Sequence, residues 1–181
     1  MMPLAWGALS FALFFASDCA HLHRRPGKPL FLLGGLLLCA ATVLLLRDAN
    51  CDTAAIACGV AALLFLALLV HALFFALPKS AYTNGRPTLV ERGGYALCRH
   101  PGVLWLSGFY LCLWGMCRTN DALLAFFVFT MLDVLYAAWQ DVYIFPRTIA
   151  GYSAYRARVP FLLPTARSIR LCIQGRDGRE I

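Results

Sequence analysis

Long apolar stretches alternate with short polar connections along the chain. Apolar residues are gathered into these runs rather than spread at helical or strand period, and each run is bounded by proline, charge or turn-forming residues. Runs of about 17 to 25 apolar residues are typical of helices that cross a bilayer. The pattern therefore predicts an all-α, polytopic membrane helix bundle with about five transmembrane helices, at residues 3–21, 29–46, 54–77, 102–117 and 122–140.

The fourth of these stretches is the shortest. Its 16 residues would span about 24 Å as a helix, less than the ~30 Å hydrocarbon core of a bilayer. Only residues 118–121 separate it from the fifth stretch, so the two are expected to form a tight antiparallel hairpin.

Composition supports a membrane protein and excludes a disordered chain. Hydrophobic residues make up 61% of the sequence and charged residues 14%, whereas soluble domains average roughly 45–50% and 25%. A length of 181 residues allows one domain over 1–181, with a tail at 141–181 outside the bilayer. The eight cysteines show no CxxC or Cys/His ligand spacing, so we expect reduced thiols and no metal site.

The net charge of +7 follows the predicted loops. Residues 22–28, 78–101 and the tail from 141 hold 3, 4 and 7 Lys or Arg, whereas residues 47–53 and 118–121 hold one each. Positive residues accumulate on the cytoplasmic side of membrane proteins. We therefore expect the N-terminus outside and the C-terminus in the cytoplasm, and no nucleic-acid partner.

Two polar and aromatic clusters fall on this expected cytoplasmic side. The first is Gly93-Gly94-Tyr95 followed by Arg99-His100-Pro101, just before the fourth helix. The second begins with Gln140-Asp141 at the end of the fifth helix and continues through Tyr152, Tyr155, Val159-Pro160 and Pro164. Segment 142–164 mixes aromatic residues with arginine, which is typical of an interfacial element. Together with loop 78–101 it is expected to cover a cytoplasmic pocket.

The spacing of these clusters resembles that of the isoprenylcysteine carboxyl methyltransferase and phospholipid methyltransferase family of membrane enzymes. The resemblance covers residues 93–164. It implies S-adenosylmethionine as cofactor and a lipid-like or prenylated substrate taken from the bilayer, methylated on a carboxyl oxygen or an amine. The residues it assigns to cofactor binding are Gly94, Tyr95, Arg99, His100, Pro101, Trp105, Asp141, Tyr152 and Tyr155.

The chemistry of these side chains agrees with that assignment. Arg99 is a fixed cationic fork suited to a carboxylate, although it could equally orient Asp141. Pro101 suits the first position of a helix, and tyrosine and tryptophan rings can bind a cation such as a sulfonium. His100, Asp141 and the intramembrane Asp133 are the candidate catalytic groups, because each could hold or accept a proton. The chain departs from the family pattern at Gln140-Asp141, where paired glutamates are typical.

Other interpretations of the same residues stay open. Arg99 and His100 are also typical of a positively charged flank on the cytoplasmic side of a helix. Asp141 is also typical of a solvated helix end, and Tyr152 and Tyr155 of an interfacial aromatic belt. Steroid-reductase-type membrane enzymes, which use NADPH, resemble the same layout of Arg-His-Pro and Tyr-x-x-Tyr. A non-catalytic membrane protein with the same scaffold is the third alternative.

Overall fold

The computed structural model describes residues 2–76, 89 and 93–174. Within these ranges the chain is helical or irregular and contains no strand. Four helical segments are long and apolar enough to cross a membrane; they contain helices α1 (Met2–Leu22), α2 (Lys28–Leu45), α3 (Thr53–Val70) and α6 (Asn120–Trp139). Helix α5 (Pro101–Cys117), the fourth predicted span, is apolar but has only 17 residues, a length of about 25 Å.

Shorter elements follow two of the long helices. A π-turn, in which each N–H bonds five residues back, continues α3 at His71–Phe75, and another continues α6 at Gln140–Ile144. The remaining helices are α4 (Gly94–Leu97), α7 (Phe145–Thr148), α8 (Tyr152–Arg158) and α9 (Ala166–Gln174). Most of the predicted loop 78–101 lies outside the described residues.

The predicted fifth span ends at residue 140, one residue beyond the end of α6. Helical backbone continues past this point through the π-turn and α7 to Thr148. Pro146 is accommodated at the start of α7, where its missing N–H costs nothing. The chain turns only after Thr148, and Gly151 then adopts a left-handed conformation with φ of 78° before α8.

The helix starts follow from capping chemistry. The Asp52 carboxylate accepts a 2.9 Å hydrogen bond from the N–H of Ala55 at the start of α3. The Thr119 hydroxyl accepts a 3.3 Å bond from Ala122 N–H at the start of α6. Each satisfies one of the N–H groups that a helix start leaves unbonded. Pro101 occupies the first turn of α5, as expected.

The long helices pack in the order α2, α1, α6, α5, α3, each against the next. Phe11, Tyr110 and Phe129, from α1, α5 and α6, meet in the core together with Leu45 of α2. The Tyr110 hydroxyl is 2.8 Å from the Thr42 hydroxyl, which ties α5 to α2 as well. Large apolar side chains cover the outside of the helices, as hydrocarbon surroundings favour.

The connections lie at alternate ends of the bundle. At one end the Asn50 amide donates to the carbonyls of Met116 and Cys117, and Arg118 pairs with Asp52 at 2.7 and 2.9 Å. At the opposite end Gln140 bonds to Asp18. Both motif clusters lie at this second end, which we call the site end. All eight cysteines are free thiols.

Candidate functional site

The side chain of Asp141 is the centre of the site. It projects from the π-turn that follows α6 and is only 3% exposed. Single π-turns within helices are frequent at functional sites, because they redirect side chains out of the regular helical path. A buried carboxylate needs paired charges or hydrogen bonds to offset its lost hydration. The partners of Asp141 therefore define the site.

Two arginines and one tyrosine surround this carboxylate. Arg99 Nη1 lies 3.0 Å from each of the two oxygens, and its side chain is 9% exposed. The Tyr152 hydroxyl donates a 2.6 Å hydrogen bond to Oδ1. Arg156 Nε lies 3.2 Å from Oδ2 and is the exposed member, at 44%. Two guanidinium groups around one carboxylate leave a surplus positive charge.

The Tyr152 hydroxyl acts as a permanent donor in this arrangement. Burial raises its pKa above the ordinary tyrosine value, and its bond to the Asp141 carboxylate raises the pKa further. The tyrosine therefore stays protonated at neutral pH and holds Oδ1 in place. Its ring packs against Phe145 and Tyr155, with centroids 5.3 and 5.7 Å apart.

His100 lies beside the carboxylate but is held mainly by aromatic rings. Its ring stacks on Phe145 at 5.7 Å and meets the edge of Phe161 at 5.1 Å. Its Nε2 is 3.5 Å from Asp141 Oδ1, and the geometry makes no hydrogen bond. Among the described residues, buried His100 Nε2 and Arg99 Nε both lack a hydrogen-bond partner. Two buried nitrogens of the site thus make no hydrogen bond to the described residues.

Backbone hydrogen bonds join the two motif clusters. Arg99 N–H donates to Pro160 C=O at 2.9 Å, and His100 N–H donates to Phe161 C=O at 3.3 Å. The Tyr155 hydroxyl donates to Tyr95 C=O at 2.6 Å. The segment after α8 therefore holds Arg99 and His100 against Asp141 through main-chain atoms.

Tyr95 and Gly94 support the site from α4. The Tyr95 hydroxyl donates a 3.1 Å bond to Ala72 C=O, in the π-turn that follows α3. Gly94 lies against Pro101, and a β-carbon at this glycine would be 3.5 Å from the proline ring, an ordinary contact. Gly94, Tyr95 and Pro101 thus shape the N-terminal approach to α5, and the contacts described for them do not reach the carboxylate.

Two predicted site residues lie elsewhere. Trp105 packs on Phe65 of α3, with ring centroids 6.3 Å apart. Asp133 is eight residues before Asp141, about 12 Å deeper along the helix axis, and has no hydrogen bond or ion pair with any described residue.

Arg156, Phe145 and Phe161 are site residues that the motifs do not identify. Aromatic and arginine residues are frequent throughout 142–164, so composition alone cannot single these three out. Asp18 was also missed, although a carboxylate inside the predicted span 3–21 is itself a signal of a polar contact. In the described part of the chain, no group of three His, Cys, Asp or Glu side chains could hold a metal ion.

Comparison with known proteins adds no relative. The chain matches no family model, no curated protein and no solved structure.

Proposed function

We propose that this chain is an S-adenosylmethionine-dependent methyltransferase that acts on a lipid-like or prenylated substrate, by carboxyl O-methylation or amine N-methylation. We further propose that it is an integral, multi-pass membrane protein with its N-terminus outside and the site end at the cytoplasmic face. The contact between Arg99 and Asp141 carries the proposal, because it joins the two motif clusters that resemble the methyltransferase family.

The charges around Asp141 suit the amino-acid part of this cofactor. The surplus positive charge of Arg99 and Arg156 favours an α-carboxylate, and the exposed Arg156 is the first cation that a ligand meets from water. The Asp141 carboxylate can accept from an α-amino group. The unbonded Arg99 Nε and His100 Nε2 offer two further positions for hydrogen bonds.

Aromatic rings suit the remaining parts of the cofactor. Phe145, Phe161 and Tyr152 lie within 6 Å of the His100 or Asp141 side chains or of each other. Ring faces attract a desolvated cation by about 0.5–2 kcal/mol, and they also stack on a planar base. S-adenosylmethionine supplies a methyl group already activated by its sulfonium. The protein then has to position the nucleophile and exclude water.

The nucleophile decides whether a base is needed. A carboxylate substrate attacks as it is, whereas an ammonium substrate must first lose a proton. The imidazole of His100 lies beside Asp141, and its unbonded Nε2 can accept the proton that such a substrate loses. Asp133 stays a candidate for the same role deeper in the bundle, where an apolar substrate would arrive sideways from the bilayer.

Calorimetry on the detergent-purified protein tests the proposal. We expect heat of binding with S-adenosylmethionine, and at least about a tenfold weaker affinity in Arg99→Ala and in Asp141→Asn, because each change removes a charge-assisted hydrogen bond. Asp52→Asn and Arg118→Ala are matched controls, since they break an Arg–Asp pair at the opposite end of the bundle. Wild-type affinity in both site variants would remove the site assignment.

One observation favours a second candidate function. A surplus cation beside unbonded buried nitrogens also suits the phosphates of a dinucleotide, as an NADPH-dependent membrane reductase would need. Heat with NADPH and none with S-adenosylmethionine would replace the methyltransferase by this reductase. If neither ligand gives heat of binding, a non-catalytic membrane protein with the same scaffold is the interpretation that remains.

A further inference from the structure

A groove runs between α1 and α6 on the outside of the bundle. Its cavity volume is about 330 Å³, and its lining is almost entirely apolar. The side chains that line it include Ala8, Ala12 and Phe15 from α1 and Leu132, Leu135 and Trp139 from α6. Tyr136 also lines it, but the Tyr136 hydroxyl is engaged by the Asp18 carboxylate at 2.7 Å.

The shape of the groove follows from the sizes of these side chains. Ala8 and Ala12 are one helical turn apart and leave a hollow along α1. Phe15 and Trp139 close the hollow toward the site end, with ring centroids 4.1 Å apart. From Ala8 to Phe15 the groove extends along about 10 Å of helix. It is thus a short apolar trough with an aromatic end.

A line of aromatic rings leads from this closed end to a cation. The Trp139 ring is stacked with that of Tyr143, with centroids 6.1 Å apart. The Arg147 guanidinium lies 3.8 Å over the Tyr143 ring and donates to Tyr143 C=O at 2.6 Å. Arg147 is exposed, and exposed Arg24 and Arg25 follow α1 at the same end of the bundle.

We infer that this groove binds one acyl chain of a phospholipid from the surrounding bilayer, with the lipid phosphate at Arg147. The apolar trough matches a hydrocarbon chain, and the exposed guanidinium matches a phosphate. Tryptophan and tyrosine between them suit the boundary of headgroups and hydrocarbon. The apolar trough, the two aromatic rings and the guanidinium thus follow one another along the protein in the same order as the acyl chain, the headgroup boundary and the phosphate of a phospholipid.

The lipid site is separate from the Asp141 site. Gln140 faces α1, where its amide bonds to Asp18, whereas the next residue, Asp141, faces Arg99 and Tyr152. The groove is on the Gln140 side of α6. The inference therefore stands whether or not the proposed methyltransferase function is correct.

Photolabelling in a bilayer tests this site. The full chain is reconstituted with a trace of phosphatidylglycerol that carries a diazirine on one acyl chain, and labelled peptides are mapped by mass after irradiation. We expect labels concentrated at residues 8–15 and 132–139, severalfold above those at the equally lipid-facing Leu63 and Leu64 of α3. Even labelling of all lipid-facing helices would overturn the inference.

Substitutions in the groove sharpen the test. Ala12→Phe fills the trough and should lower its labelling severalfold, whereas Val60→Phe on exposed α3 should leave it unchanged. Leu135→Ala widens the trough and should keep or increase the labelling. This second variant tests the groove even if Ala12→Phe fails to fold. Unchanged labelling in Ala12→Phe, or loss of the label from the groove together with cross-linking of two copies there, would refute a lipid occupant.

The headgroup is tested by lipid competition. Unlabelled phosphatidylglycerol should displace the label more effectively than phosphatidylcholine. In Arg147→Gln that preference should fall by about fivefold, the value of one basic residue near an anionic surface. Arg167→Gln, which removes another exposed arginine at the same end, should keep the preference. An unchanged preference in Arg147→Gln would contradict the assignment of the phosphate to Arg147.

Discussion

The side-chain amide of Gln140 donates a 2.7 Å hydrogen bond to the carboxylate of Asp18, which is 122 residues earlier in the chain. The methyltransferase family that the two motif clusters resemble typically has a second acid at the position of Gln140. In this chain the carboxylate of Asp18, from α1, lies next to Gln140 and supplies a negative charge there. The amide therefore acts as a connector between α1 and α6, and the substitution of acid by amide does not leave this part of the bundle without a carboxylate.

We predict a measurable coupling between these two residues. Hydrogen bonds between membrane helices couple by about 0.6 kcal/mol on average and by at most about 1.7 kcal/mol. A double-mutant cycle of Asp18→Ala and Gln140→Ala should give a coupling in this range, measured as the free energy of unfolding in mixed micelles of sodium dodecyl sulfate.

Asp133 provides the matched control for that cycle. It is also a carboxylate within the apolar part of the bundle, but no hydrogen bond joins it to Gln140. The cycle of Asp133→Ala and Gln140→Ala should therefore give a coupling close to zero. Equal couplings in the two cycles would show that the Asp18 contact makes no specific contribution.

The left-handed conformation of Gly151 should be required for stability. A β-carbon at Gly151 would meet no atom within 4 Å, so only its φ of 78° opposes a side chain. Gly151→Ala should lower the free energy of unfolding by about 1–2 kcal/mol, the cost of a left-handed L-residue. Because Tyr152 follows directly, ligand binding at Asp141 should weaken too.

The substitution Gly35→Ala is the control that distinguishes backbone strain at Gly151 from a steric effect of the added methyl group. A β-carbon there also meets nothing within 4 Å, but Gly35 is inside α2 with ordinary helical backbone. Gly35→Ala should raise stability by about 0.5–1 kcal/mol, because alanine loses less backbone entropy in a helix. The thermal unfolding midpoints of the two variants should thus move in opposite directions. A shift in the same direction would contradict the strain at Gly151.

Cys98 should resist alkylation in the folded protein. It is 1% exposed, and burial raises the pKa of its thiol to about 11. Only about one thiol in a thousand would then be the reactive thiolate at pH 8. Labelling by iodoacetamide, followed by peptide mass, should be far slower at Cys98 than at the exposed Cys51.

The pH dependence of that reaction gives a second check. The rate at Cys98 should rise nearly tenfold per pH unit up to about pH 11, as long as the fold persists. Denaturation should bring Cys98 and Cys51 to similar rates. Comparable rates in the folded protein at pH 8 would mean that Cys98 is not buried as described.

The ion pair of Asp52 and Arg118 should contribute to stability only above acidic pH. The hydrogen bond from Arg118 to the Asp52 carboxylate is the main cause that lowers the Asp52 pKa below the ordinary value of 3.8, and the bond from Ala55 N–H lowers this pKa further. The contribution is therefore present at neutral pH and disappears as the pH falls below that value. The unfolding midpoint of Asp52→Asn should change less between pH 5 and acidic pH than that of the wild type. Since both side chains are about half exposed, added salt should weaken the effect.

The sequence predicts the helices well, because their signals are local. Long apolar runs, the caps at Asp52 and Thr119 and the proline at 101 act within a few residues of each helix start. The π-turn that follows α6 was not predicted, because Gln140 and Asp141 were taken as a polar exit from the bilayer. A π-turn keeps the backbone bonded while it turns Asp141 toward other protein groups, and no local pattern signals it.

The site could be predicted only in part, for a related reason. Spacing placed Arg99 and Asp141 at the same end of the bundle, and they are in contact. Trp105 shares the start of α5 with the motif, yet its ring faces α3. The rotation of a helix against its neighbours depends on packing, which a single sequence does not state. Arg156 was missed because its approach depends on the turn at Gly151.

The π-turn at Gln140–Ile144 makes the site end sensitive to chain length. Such a turn contains one residue more than the α-helical turn that it replaces. Deletion of a single residue between positions 140 and 144 would restore regular helical bonding and leave the following segment at nearly the same rotation, because either kind of turn makes about one revolution. The side chains within the turn would change direction instead, and Asp141 would lose its approach to Tyr152 and Arg156. A site of this kind can be gained or lost through one codon of insertion or deletion, without any substitution among the residues that build it.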